Sequence, residues 1–80
     1  MTLDQLPLNQ TATIASIDWQ VLDAREARRL RELGFDTGAT VLTQHSGVLF
    51  WRDPIAVRIG RMTVAVRKAH AAAMHVELAP

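Results

Sequence analysis

Hydrophobic and polar positions change period along this chain, and each change marks the end of one element and the start of the next. The segment 11–17, Thr-Ala-Thr-Ile-Ala-Ser-Ile, is rich in Thr and Ile and predicts a strand. From Asp23 to Leu33 the period becomes helical. Ala27, Leu30 and Leu33 recur on one face, while Arg25, Arg28, Arg29 and Glu32 fall on the other at about 100° per residue. Asp23 stands three residues before Glu26, the spacing of a capping box with an acidic cap, and Gly34 stands where a left-handed residue closes a helix. Phe35 is expected to pack back on that helix, with a turn at 36–38 and a strand over 39–45.

Period two returns in the second half. Ile55, Val57 and Ile59 alternate with Ala56 and Arg58, and Met62, Val64 and Val66 alternate with Thr63, Ala65 and Arg67. Gly60-Arg61 between them predicts a two-residue hairpin turn of type II′. The Ala-rich stretch 68–74 predicts a short helix, and 75–78 a closing strand. At the start, Leu3–Leu6 can form one helical turn capped by Thr2 and ended by Pro7. The run Val48-Leu49-Phe50-Trp51 fits a strand or a loop, broken by Asp53-Pro54. Five short strands must curl to hide their edges. The expected fold class is therefore mainly β: a small SH3-like β-barrel with one α-helix inserted after the first strand and a short helix before the last. Residues 1–80 make a single domain.

Composition narrows the function by exclusion. Eighty residues with 49% hydrophobic positions suit one compact core, and the absence of Cys removes disulfides, thiolate metal sites and thiol nucleophiles. The longest apolar run is 48–51, against the roughly 20 residues of a membrane span. The start Met1-Thr2-Leu3-Asp4 lacks the regions of a signal peptide, so a soluble, cytoplasmic protein is expected. Nine basic and eight acidic residues leave a formal charge of +1, with no global pull toward nucleic acid or membrane.

Several motifs that built this picture also resemble a known family. Arg29-Leu30-Arg31-Glu32-Leu33-Gly34-Phe35 followed by Gly38, then Asp53-Pro54-Ile55-Ala56-Val57, then Ile59-Gly60 and Val64-Ala65-Val66-Arg67, look like the FeoA domain. The resemblance runs from about Leu6 to Glu77. The family usually has a glycine before the first strand, where this chain has Asn9-Gln10; Asn tolerates positive φ, so a turn there is feasible. The resemblance implies an SH3-like fold in a small cytoplasmic protein of bacterial ferrous-iron uptake. Its implied partner is the membrane permease FeoB, which carries a cytoplasmic GTP-binding domain. The same domain also forms the C-terminal module of DtxR-type repressors; no helix-turn-helix precedes it here, so the free-standing accessory protein fits better.

The residues offer little catalytic chemistry. Ser16 and Ser46 lie beside no base-and-acid signature, no phosphate loop is present, and Asp18, Asp23 and Glu26 serve as caps and helix-end charges, so no enzyme and no cofactor are expected. The candidate metal ligands are His45, His70 and His75. His70 and His75 are five apart and fall on different helix faces, so no metal site is expected unless distant segments converge. Arg25, Arg28, Arg29 and Arg31 crowd two helical turns. One reading is a solvated face with Arg28 and Arg29 pairing to Glu32; the other is a local positive surface for an acidic partner. The family context favours the second. Trp51, with Phe50, is the expected apolar anchor of the contact, and Trp19 is expected against the helix start. Partner-binding residues are thus Arg25, Arg28, Arg29, Phe50 and Trp51, acting on a FeoB-type permease. An iron-linked sensing module and a nucleic-acid-binding barrel remain as alternatives, although no aromatic stacking row supports nucleic acid. A homo-oligomer is also open, because 40–44 carries neither Pro nor charge to protect a strand edge.

Overall fold

The computed structural model describes residues 1–44 and 53–79. Its strands are β1 (Thr11–Ile17), β2 (Thr40–Gln44), β3 (Ile55–Ile59), β4 (Met62–Val66) and β5 (Met74–Leu78). Helix α1 (Ala24–Glu32) follows β1, helix α2 (Lys68–Ala71) precedes β5, and 3-10 turns occupy Leu3–Gln5 and Trp19–Val21. All five strands form one antiparallel sheet in the order β4-β3-β2-β1-β5. Each strand buries alternate positions on one face. Ala12 and Ile14, Val41, Ile55 with Val57 and Ile59, Val64 with Val66, and Met74 with Val76 are all buried there.

Local chemistry explains where the elements end. The Asp23 side chain accepts the Glu26 N–H at 2.8 Å and caps α1. At the other end, the Gly34 N–H donates to Arg31 O at 3.1 Å and the Phe35 N–H donates to Leu30 O at 3.0 Å. Those two bonds make a Schellman motif, which Gly34 allows by adopting φ +104°. Phe35 thereby folds back onto Leu30, and both are fully buried. Gly60 takes φ +58° while Arg61 stays at negative φ, as the expected hairpin turn requires. Asn9 adopts φ +64°, the turn conformation expected before β1. The one buried polar side chain among the described residues, Thr43, donates its hydroxyl to Pro7 O at 3.0 Å.

Two expectations are corrected. The Ala-rich helix stops at Ala71, and Met74 begins β5. Tertiary pairing overrides propensity here: Met74 stands opposite Ile17, and the Asp18 N–H donates to Ala73 O at 2.8 Å. Strand β2 is also no edge, since it pairs with β1 on one side and β3 on the other. Its lack of Pro and charge suits a strand covered along both sides. The outer strands are β4 and β5. Beyond β5, the Val76 N–H donates to Met1 O at 2.8 Å and Thr2 bridges to His75, so the N-terminal segment covers that edge.

Leu30 is the one fully buried side chain of α1, so Leu30→Ala should cost about 2–5 kcal/mol in urea unfolding by opening a cavity under the helix. A loss well below ~1 kcal/mol would show that α1 is anchored elsewhere.

Candidate docking surface

Helix α1 positions the arginines. With Leu30 turned inward, Arg25 and Arg28 project from the opposite side of the helix, and both are exposed. Neither has an ion-pair partner among the described residues. Arg29 and Arg31 are held. Arg29 pairs with Glu26 one turn earlier, and its Nη2 also donates to Ala65 O of β4 at 3.4 Å. The Arg31 guanidinium lies over the Trp19 ring, 4.3 Å from its centroid.

Two sequence expectations change at this site. Arg29 reaches Glu26, not Glu32, because helical side chains slant toward the N-terminus and an arginine meets an acid that precedes it more readily than one that follows. Arg28 likewise makes no ion pair to Glu32 among the described residues. Trp19 meets α1 through the Arg31 guanidinium. Phe50 and Trp51 lie outside the described residues, as does His45.

Other contacts had no signature in the sequence. Glu26 is largely buried, and its second carboxylate oxygen lies 2.8 Å from Nδ1 of His70 on α2. Nδ1 is buried with no well-directed hydrogen-bond partner, so the contact is a close approach of charges whose attraction depends on His70 being protonated. His75 meets a different carboxylate, with Nε2 3.0 Å from Asp18 Oδ2. The two histidines therefore do not converge. Among the described residues, no group of three or more His, Asp or Glu side chains could hold a metal ion. Asp53 accepts the Lys68 N–H at 3.0 Å, which caps α2 from across the fold. These pairs join residues far apart in sequence, and only the strand order brings them together.

The sheet, its order and the helix after β1 define a domain class, the small SH3-like domains. A FeoA *domain* model matches residues 1–78, and the chain belongs to the FeoA-domain family. Among solved structures, the *Stenotrophomonas maltophilia* FeoA complexed with zinc is 37% identical, with a TM-score of 0.76 over 96% of this chain and 89% of that one. That protein is described as a prokaryotic SH3 domain protein with a suggested role as a bacterial ferrous iron transport activating factor. The iron(II) transport protein A of *Clostridium thermocellum* is 26% identical, with a TM-score of 0.81 over 98% of this chain; this chain spans 45% of that one. The *Chlorobium tepidum* FeoA protein is 27% identical, with a TM-score of 0.80 over 98% of this chain and 70% of that one. No curated protein matches the chain. No helix among the described residues is long and apolar enough to cross a membrane.

Glu26 holds Arg29 in place, so Glu26→Gln should lower stability by about 1 kcal/mol. Most of that loss should vanish in an Arg29→Ala background, measured as a double-mutant cycle by thermal unfolding. Fully additive losses would show that the two side chains act independently.

Proposed function

We propose that this FeoA-domain chain is a cytoplasmic accessory factor of ferrous-iron uptake that regulates a FeoB-type permease by direct contact. The observation that carries the reading is the outward face of α1. Arg25 and Arg28 stand exposed there without ion-pair partners among the described residues, on a helix fixed to the core by Leu30. Two unpaired guanidinium groups held on a rigid helix steer and orient an acidic partner surface. Arg29 stands beside them, already neutralised in part by Glu26, and contributes geometry more than free charge.

Phe50 and Trp51 are assigned the dry part of the contact, since aromatic side chains dominate interface energetics. The regulation works by population shift: the domain binds one conformation of the permease's cytoplasmic part better than another, and its differential affinity sets the size of the effect. Nothing in this mechanism needs bond making by the chain. Family membership and the likeness to the *S. maltophilia* protein support the transport context.

The test is a binding titration of the full chain against the purified cytoplasmic GTP-binding domain of a FeoB-type permease, without nucleotide and with GDP or a GTP analogue. Binding should differ among these states, and Arg28→Glu should weaken it roughly tenfold to a hundredfold. Absence of association in every state, or indifference to Arg28→Glu, would overturn the reading.

A further inference from the structure

The two outer strands of the sheet are finished differently. The outer side of β5 is covered by Met1 and Thr2. Strand β4 pairs with β3 and with no other strand among the described residues. In the two-residue hairpin, Ile59 and Met62 form the hydrogen-bonded pair next to the turn. Alternation then directs Val64 and Val66 into the ladder and leaves the N–H and C=O of Thr63 and Ala65 pointing outward. The Arg29 contact supports this independently, because its Nη2 reaches Ala65 O from outside the sheet.

An open edge is ordinarily protected by a proline, a bulge or an inward charge. The segment Met62-Thr63-Val64-Ala65-Val66 has none of these, and its register with β3 is unbroken. Charge sits around the edge instead. Arg61 and Arg67 flank β4, Arg58 stands opposite Thr63 on β3, and Arg29 approaches Ala65. All four are exposed, and residues 55–67 contain three arginines and no acidic residue.

We infer that the β4 edge accepts an extended segment of another protein as a sixth strand, and that this segment carries acidic residues beside a short uncharged stretch. The backbone groups of Thr63 and the Ala65 N–H supply the hydrogen bonds beside the Ala65 O that accepts from Arg29, and the surrounding arginines supply the selection for acidic flanks. A second copy of this chain is the poorer occupant. In the register that pairs all of β4 with itself, Arg61 of each copy stands opposite Arg67 of the other, and like charges placed so are repulsive. The inference rests on reading the chain as a docking module for an acidic partner, but it concerns a different surface from the outer face of α1.

The probes are two short synthetic peptides of alternating Val and Thr, one flanked by glutamates and one by lysines, titrated into the isotope-labelled full chain by NMR. The glutamate peptide should shift the amide signals of Thr63 and Ala65 saturably and slow their hydrogen exchange. Ala65→Pro removes an outward N–H without removing a ladder bond, and should weaken binding about threefold to tenfold. Arg58→Glu with Arg61→Glu, a surface change that leaves the fold intact, should abolish the preference for glutamate. Arg28→Glu should leave peptide binding unchanged, which separates this proposal from docking through the helix face. Equal binding of the lysine peptide, shifts confined to α1, no shifts at all, or concentration-dependent shifts of Thr63 and Ala65 without peptide would each overturn it.

Discussion

The surface of this domain depends on one buried contact, the packing of Leu30 beneath α1 with Phe35 folded back against it. A nine-residue helix is too short to be stable alone in water. Its charged residues outnumber its apolar ones, so little of its own surface drives docking. Leu30 supplies the buried anchor, and the Schellman bonds at Gly34 and Phe35 stop the helix and return the chain to the core. Every arginine position on α1 inherits its direction from that anchor. Loosening Leu30 would cost binding geometry as well as stability.

The same helix shows how a nearly neutral chain can hold a strongly basic face. Of its four arginines, Arg29 is tied to Glu26 and Arg31 is spread over Trp19, while Arg25 and Arg28 are left to solvent. Tied arginines cost less ordering on contact because their rotamers are already restricted; free ones keep their full charge for an encounter. Glu26 links this helix to α2 through His70, so the arginine face and the end of the hairpin share one partly buried carboxylate. The frame is shared at 26–37% identity with FeoA structures of the same fold.

What was legible in the amino acids was local. Asp23, Gly34 and Gly60 mark their elements because a cap or a positive φ is satisfied within a few residues, and Asn9 could be placed by the same logic. Strand β1 is legible through its Thr and Ile content, and β3 and β4 through alternation. Sheet order was not: nothing within 40–44 says that two strands flank it, and its smooth uncharged character suits a centre as well as an edge. The 3-10 turn at Trp19–Val21 carries no period to read, so the contact of Trp19 with Arg31 has no signature in the sequence. Of the site, the arginines could be found by helical spacing, whereas the meetings of Glu26 with His70, Asp18 with His75 and Arg29 with Ala65 depend on the assembled sheet.

The N-terminal strap has a consequence for how large an assembly this domain can build. A sheet open at both margins can recruit neighbours head to tail without limit, and a contact that does not close on itself grows into a fibre. Met1 and Thr2 occupy one margin, through the Val76 N–H and the bridge to His75. A strand added on the β5 side would first have to displace Met1 and Thr2. Residues of the same chain thus compete with any neighbour for the margin from which head-to-tail growth would propagate.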